Sequence, residues 1–176
     1  MQIAIFGGSF DPVHTAHVTI VNKALESLCV DKIIVVPTYL NPFKNHFYLE
    51  PNLRFSLLKK VFHDDEKVEI CDYEIKQNKA VYSFETVKYL KKLYKPSKIY
   101  IIIGEDNIKD LNKWHKIDDL KEIAEFVVAT RIGYKHRELN SFRILEVDMN
   151  ISSTKLREKL DLTFIPEQIK EDIIHL

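Results

Sequence analysis

The chain has 176 residues, 45% of them hydrophobic, and its 26 Lys and Arg balance 26 Asp and Glu, which fits one ordinary domain over residues 1–176. The formal net charge of zero excludes long-range attraction to a phosphodiester backbone or an anionic lipid surface. We therefore expect no nucleic-acid or membrane partner, and local contacts must hold any phosphate.

Short apolar runs alternate with amphipathic segments from one end of the chain to the other. Apolar residues recur at helical spacing between residues 16 and 28, 53 and 61, and 84 and 93, and again from Ile165 to Ile173 behind Pro166. The predicted strands, in chain order, are residues 3–6, 32–37, 68–71, 98–103, 126–130 and 143–147. This order predicts an α/β fold with a doubly wound, mostly parallel sheet and helices on both faces.

Glycine is scarce, since the chain has four, and all four follow predicted strands. Gly7 and Gly8 follow the first strand, Gly104 follows the fourth and Gly133 follows the fifth. Ligands of open α/β sheets bind beyond the carboxyl ends of the strands, which is where these glycines lie. We expect a ligand site there, although an ordinary turn explains Gly133 equally well.

Two histidines follow the first glycine turn where a helix is predicted to begin. His14 and His17 are three residues apart, so they share one helical face beside the free N–H groups of the first turn. That position favours an anion such as phosphate. A zinc site would need a third ligand, so we expect no metal held by protein side chains. The spacing matches neither a dinucleotide G-x-G-x-x-G loop nor a P-loop.

A second predicted helix start lies near the other end of the chain. Ser152, Ser153 and Thr154 are consecutive hydroxyl residues, and Arg157 follows one turn later. Such a run is commonly a capping motif, and with the arginine it also makes an anion pocket. Two helix N-termini at one edge of the sheet would hold a triphosphate between them.

Nothing in the sequence indicates export or a membrane span. The apolar runs are far shorter than the ~20 residues needed to cross a bilayer, and no secretory signal is visible. Cys29 and Cys71 lie in apolar segments, so we predict buried free thiols and a cytoplasmic location. Residues 39–51 form the longest predicted loop, and we expect it to close on a ligand.

The histidine turn and the I-S-S-T-x-x-R helix start resemble the nucleotidylyltransferases, and most of all the nicotinate-nucleotide adenylyltransferases among them. Further blocks follow in that family's order over nearly the whole chain: 41–44 (NPFK), 82–86 (YSFET), 103–106 (IGED), 113–114 (KW) and 131–134 (RIGY). The sequence departs from the family pattern at Ala16, Glu105 and His115, where Gly, Ala and Tyr are common. The resemblance implies a single-domain, Rossmann-like fold.

The resemblance also implies roles for individual residues. The catalytic residues would be His14, His17 and Lys44. ATP would be bound by Gly7, Gly8, Ser9, Phe10, Gly104, Asp106, Arg131, Ser152, Ser153, Thr154 and Arg157. Ser83, Thr86 and Trp114 would form the pocket for a nicotinate ring, with Ser83 capping a helix whose N–H groups meet the ring carboxylate.

The implied reaction transfers AMP from ATP to the phosphate of nicotinate mononucleotide, giving deamido-NAD and pyrophosphate in NAD biosynthesis. Mg²⁺ would accompany ATP, and the chain would be a monomer or a small homo-oligomer. Two alternatives remain: an adenylyltransferase for nicotinamide mononucleotide or another small phosphate, and a non-catalytic nucleotide sensor. The presence of His14, His17, Lys44 and Arg157 argues against the sensor.

Overall fold

The structure is a computed structural model and describes residues 1–131, 141–147 and 151–175, apart from the Arg131 side chain. Its described strands are β1 (Gln2–Gly8), β2 (Lys32–Pro37), β3 (Val68–Ile70), β4 (Lys98–Gly104), β5 (Glu125–Arg131) and β6 (Arg143–Val147). They form one sheet of order β3-β2-β1-β4-β5-β6, with every described pairing parallel. All six predicted strands are thus confirmed.

The helices occupy the segments with helical periodicity. They are α1 (Thr15–Ser27), α2 (Pro51–Val61), α3 (Tyr73–Lys76), α4 (Ser83–Tyr94), α5 (Ile117–Ile123), α6 (Ser153–Glu158) and α7 (Lys170–Ile174). Three 3₁₀ segments, Glu105–Lys113, Leu162–Phe164 and Glu167–Ile169, complete the described elements. The terminal helix was predicted as one unit behind Pro166, whereas the chain there makes a 3₁₀ turn before α7.

Apolar layers cover both faces of the sheet, which confirms the doubly wound class. Ala4 and Phe6 of β1 pack in the same cluster as residues of α1 and α2. Ile3 and Ile5, which point to the opposite face, pack with residues of α4 and α5. Because β1 is buried on both sides, its sequence is apolar without alternation.

Strand β1 lies between β2 and β4, where the order of strands along the sheet reverses direction. The carboxyl ends of two parallel strands at such a point border an open crevice. Gly7 and Gly8 end β1, and Gly104 ends β4, so three of the four glycines border this crevice. Gly133 lies outside the described residues.

The prediction that both cysteines are buried is wrong. Cys29 is exposed, because it takes a left-handed backbone conformation (φ 50°) just after α1 and turns away from the core. Cys71, at the end of β3, is partly buried. Both are free thiols. Within the described part of the chain, no helix is long and apolar enough to cross a bilayer.

Helix α4 offers a test of which of its residues stabilise the hydrophobic core. Leu90 is 0% exposed, whereas Leu93, predicted for the same face, is 56% exposed. We expect Leu90→Ala to lower the free energy of unfolding by about 2–5 kcal/mol, because it leaves a cavity. Leu93→Ala, the matched control, should change it by less than about 1 kcal/mol in urea denaturation. Equal losses from the two variants would contradict this packing.

Candidate active site

The turn between β1 and α1 is shaped by a close approach of Phe10 to Gly8. Phe10 has a positive φ of 47°, and its ring lies over the end of β1. A Cβ atom on Gly8 would lie 3.1 Å from Cζ of Phe10, so glycine suits this position. Ser9 lies between them. The predicted nucleotide loop is therefore a compact turn packed against its own strand.

Two side chains fasten the segment 38–50 to this turn. The Asp11 carboxylate accepts hydrogen bonds from the backbone N–H groups of Tyr48 and Leu49, at 2.9 and 2.8 Å. Arg54 is 1% exposed and donates to the carbonyls of Ser9 (2.5 Å), Tyr39 (2.9 Å) and Leu49 (3.0 Å). These bonds hold the segment in place, and its closure on a ligand stays a prediction.

The sequence places Arg54 at the start of a helix, where a phosphate contact and an exposed position are equally expected, whereas the structure buries it. Its spacing from Leu57 and Leu58, three and four residues on, places it on the core side of α2. An arginine on an apolar helix face was therefore the signal that identifies it. Its partners could not be found that way, because they lie up to 45 residues away in sequence.

His14 and His17 lie together at the start of α1. Their rings stack with centroids 3.7 Å apart, and the backbone N–H of His14 donates to Nδ1 of His17 at 3.1 Å. Because Nδ1 of His17 accepts a hydrogen bond, the proton of its neutral ring sits on Nε2. That N–H group is then a donor for a ligand oxygen. The Phe10 ring packs against His17 at 4.9 Å between centroids.

Both imidazoles are neutral at pH 7. Burial lowers the pKa of His14 from 6.5 to about 4. Burial, with a smaller contribution from neighbouring His14, lowers the pKa of His17 well below 6.5. Nδ1 of His14 is buried and has no hydrogen-bond partner in the described part of the protein. The pair therefore offers polar nitrogen atoms without a buried charge.

The start of α6 docks onto the same turn. Ser152 caps α6 by accepting a hydrogen bond from the Lys155 backbone N–H at 3.3 Å. Ser153 donates its hydroxyl proton to the Pro12 carbonyl at 3.0 Å. The predicted second anion pocket therefore lies beside the first, and two of its hydroxyl groups also hold α6 in position.

Arg157 and Lys44 bring positive charge to this turn. Nη1 of Arg157 donates to the Asp11 carbonyl (2.5 Å), and Nη2 donates to Oγ1 of Thr154 (3.2 Å). The guanidinium lies 4.2 Å from the centroid of the Tyr48 ring. Lys44 is exposed and donates from Nζ to Oγ of Ser9 at 3.4 Å. The structure thus brings both cations to the turn that holds the histidines.

A cavity of about 370 Å³ opens on the opposite side of β1. Gly7 and Gly8 form part of its wall, so it adjoins the histidine turn across the end of one strand. The three residues predicted for the ring pocket, Ser83, Thr86 and Trp114, all line it. Other lining residues are Ile5, Val36, Thr38, Asn41, Pro42, Phe43, Glu74, Val81, Tyr82, Val87, Ile101, Ile102, Ile103, Asn107, Lys113 and His115.

Trp114 and His115 shape one wall of this cavity. Trp114 packs edge to face against Phe126, with centroids 6.1 Å apart, so it belongs to the core as well as to the cavity. Its Nε1 is buried and unpartnered within the described residues. His115, where the resembling family often has Tyr, stacks on Tyr82 with centroids 4.7 Å apart. The aromatic character of the wall is therefore retained.

The start of α4 differs from the prediction. Tyr82, and not Ser83, is the N-cap, and no side chain caps the helix there. The expectation that Ser83 caps α4 is therefore wrong, because the helix begins at Ser83 itself, one residue earlier than a Ser83 cap requires. The Thr86 hydroxyl is used inside the protein, since it donates to Oε1 of Glu74 at 2.6 Å.

Gly104, Asp106 and Arg131 were predicted for the nucleotide cleft. Gly104 ends β4, and a Cβ atom there would lie 2.5 Å from Oδ1 of Asp106, which is exposed. Asn107 donates from Nδ2 to the Gly104 carbonyl at 3.3 Å. Arg131 ends β5 opposite Val147, and its side chain lies outside the described part of the structure.

The hydrogen bonds that Arg54 donates to three backbone carbonyls can be tested by substitution. Arg54→Lys keeps a positive charge but cannot span three carbonyl groups. We expect it to lower the free energy of unfolding by at least about 2 kcal/mol, since buried acceptors lose their donors. Lys59→Ala, an exposed position on the same helix, serves as the control in chemical denaturation. A free energy of unfolding equal to that of the wild type in Arg54→Lys would contradict a stabilising role for these hydrogen bonds.

Comparison with known proteins agrees with this geometry. A family model described as cytidylyltransferase-like matches residues 5–159. A relative from Aliarcobacter butzleri, named "probable nicotinate-nucleotide adenylyltransferase", is 62% identical over 100% of this chain and 97% of its own. A relative of the same name from Nitratiruptor is 48% identical over 99% of this chain and 97% of its own.

Solved structures share the fold at lower identity. Plasmodium falciparum nicotinic acid mononucleotide adenylyltransferase complexed with NaAD superposes with a TM-score of 0.81 at 22% identity, covering 99% of this chain and 95% of that one. The same enzyme complexed with APC gives 0.77 at 21% identity, covering 99% and 94%. The Rossmann-like α/β fold is therefore shown by structure, and the family by sequence identity over the full chain. The chain belongs to the nicotinate-nucleotide adenylyltransferases, within the cytidylyltransferase-like family.

Proposed function

We propose that the protein transfers AMP from ATP to the phosphate of nicotinate mononucleotide, releasing pyrophosphate and forming deamido-NAD for NAD biosynthesis. The observation that carries this proposal is that the end of β1 lies between two different binding regions. One side holds the histidines and two cations at helix starts, and the other holds an aromatic-walled cavity. A reaction that joins two nucleotides by their phosphates needs such a pair of compartments meeting at one point.

The histidine side suits a triphosphate. His14 and His17 can donate hydrogen bonds to phosphate oxygens without the cost of a buried charge. Lys44 and Arg157 supply the positive charge, and both are already held by the β1–α1 turn. We assign the α-phosphate to Nε2 of His17 and the outer phosphates to His14, Lys44 and Arg157.

The cavity side suits a pyridine mononucleotide. Its volume of about 370 Å³ lies within the ~300–1,000 Å³ range of small-molecule sites. Trp114 offers a surface for stacking a flat ring, and Val81 and Ile103 supply apolar walls. The first turn of α4, at Ser83, presents backbone N–H groups at the same cavity, and these favour a carboxylate.

The chemistry requires positioning more than proton transfer. The acceptor phosphate has a second pKa near ~6, so it is largely ionised at neutral pH without a general base. One of its oxygens attacks the α-phosphorus of ATP, a new P–O–P bridge forms, and the bond to the β-phosphate oxygen breaks to release pyrophosphate. Fixed hydrogen-bond donors then stabilise the charge that develops on the phosphoryl oxygens.

We expect a divalent metal, Mg²⁺, to enter as the complex with ATP. No group of three or more His, Cys, Asp or Glu within residues 1–131, 141–147 and 151–175 is placed to hold a metal ion. Phosphate oxygens of the nucleotide would then be its main ligands. When bound, Mg²⁺ neutralises charge on the triphosphate.

The proposal is tested by pyrophosphate release from purified protein with Mg-ATP and three separate acceptors. The acceptors are nicotinate mononucleotide, nicotinamide mononucleotide and phosphopantetheine. We expect the highest kcat/KM with the nicotinate compound. Preference for another acceptor would keep the chemistry and overturn the assignment of Ser83, Thr86 and Trp114. ATP binding without turnover of any acceptor would instead support the nucleotide sensor.

His17 gives the sharper test of mechanism. We expect His17→Ala to lower kcat by about 10²–10³, as the loss of one oxyanion donor does elsewhere. His17→Gln, which retains a donor near the position of Nε2, should recover part of this loss. His63→Ala is the matched control, because the His63 side chain is 71% exposed and lies outside the site. A rate for His17→Ala within a few-fold of wild type would rule out the assigned role.

A further inference from the structure

The cavity contains a buried carboxyl group that the proposed reaction does not use. Glu74, on α3, lines the cavity and is 4% exposed. Its Oε1 accepts the hydroxyl proton of Thr86 at 2.6 Å. Its Oε2 is buried and has no hydrogen-bond partner among the residues that the structure describes. A buried oxygen without a partner costs free energy unless a ligand or a proton satisfies it.

The surroundings of Glu74 do not neutralise its charge. From its own segment, Cys71 and Tyr73 interact electrostatically with Glu74, and both are neutral at pH 7, since their pKa values are raised. Asp72 and Lys76 beside them form an exposed ion pair. Val36 of β2 and Thr38, which follows that strand, also line the cavity, and neither is charged.

Other elements bring titratable groups to the cavity or near it without pairing with Glu74. The 3₁₀ segment Glu105–Lys113 brings the Lys113 ammonium, which pairs with Asp110 at 2.7 Å. His115 stacks on Tyr82. Helix α4 carries another acid, Glu85, which lies next to Thr86 in sequence and does not line the cavity. Burial raises the pKa of Glu74 from 4.5 to about 7, against the smaller lowering effect of the Thr86 hydrogen bond.

Building on the proposed function, we propose that Glu74 is a specificity-determining residue whose Oε2 meets the substituent of the pyridine ring. When protonated, Oε2–H donates to a ring carboxylate, and when ionised it accepts an N–H from a ring carboxamide. An ionised Glu74 beside a nicotinate carboxylate would place two like charges in one buried site, which is unfavourable. The preference for the acid over the amide acceptor therefore falls as Glu74 loses its proton.

The ratio of kcat/KM for nicotinate mononucleotide to that for nicotinamide mononucleotide measures this directly. The two acceptors share the same phosphate and the same ATP, so those ionisations cancel in the ratio. We expect the ratio to fall about tenfold or more between about pH 6 and about pH 8, with one titrating group. A ratio that is constant over this range in the wild-type protein would overturn the inference, whatever the variants do.

Glu74→Gln fixes the group in a form that resembles the protonated carboxyl. Its amide oxygen can accept from Thr86 while its NH₂ group donates to the ring carboxylate. We expect a ratio that is independent of pH and near the low-pH value of the wild type. Glu85→Gln is the matched control, because Glu85 lies next to Thr86 but does not line the cavity. It should retain the wild-type profile.

Calorimetry of binding gives a readout that does not depend on turnover. Binding of the nicotinate acceptor at about pH 8 should take up a proton that the nicotinamide acceptor does not, since the complex requires protonated Glu74. The difference in proton uptake, measured in buffers of different ionisation enthalpy, should vanish in Glu74→Gln. Equal uptake for the two acceptors in the wild type would contradict the proposal.

The outcomes separate this inference from the proposed function. No pyrophosphate release with either acceptor would remove the proposed function and the inference with it. Turnover of both acceptors with a constant ratio would leave the reaction in place and remove only the role of Glu74. A preference that reverses direction, with the amide favoured at low pH, would also remove that role.

Discussion

Strand β1 hydrogen-bonds to β2 along one side and to β4 along the other. The chain that leaves β1 therefore begins at the point where the order of strands along the sheet reverses. That central position decides where the site lies. Helix α1 follows on one face of the sheet, and the cavity lined by α4 lies on the other. Gly7 and Gly8 line the cavity and lead directly into the histidine turn, so groups bound on either side would approach one another there.

The turn after β1 is fixed by contacts from distant parts of the chain. Arg54 of α2 donates to the Ser9 carbonyl, and Arg157 of α6 donates to the Asp11 carbonyl. Each arginine satisfies a carbonyl group of the turn. The turn is therefore shaped before any ligand arrives, which lowers the entropy that binding must offset. Among the side chains that the structure describes, Arg157 and Lys44 then carry the positive charge that we assign to the phosphates.

The two compartments differ in the protonation states of their buried titratable groups. The histidine side keeps its imidazoles neutral by burial and relies on hydrogen bonding, with cations at its edge. The cavity side contains a buried acid, Glu74, whose protonation state is sensitive near neutral pH. A chain with no net charge can thus hold anionic substrates through local hydrogen-bond donors and a few cations, without a large positive field.

The sequence by itself determined the six strands, the principal helices and the two helix starts that meet at the β1–α1 turn. It could do so because apolar periodicity and glycine placement are local properties of the chain. The family motifs also predicted His14, His17 and Trp114 as site residues, and their roles stay predictions. The tertiary structure decided the rest. The burial of Arg54, the pairing of Glu74 with Thr86 and the exposure of Cys29 depend on how separate elements pack together. No local sequence pattern predicts that packing. The sequence around a polar residue is the same whether its side chain bonds to water or to a carbonyl group 45 residues away.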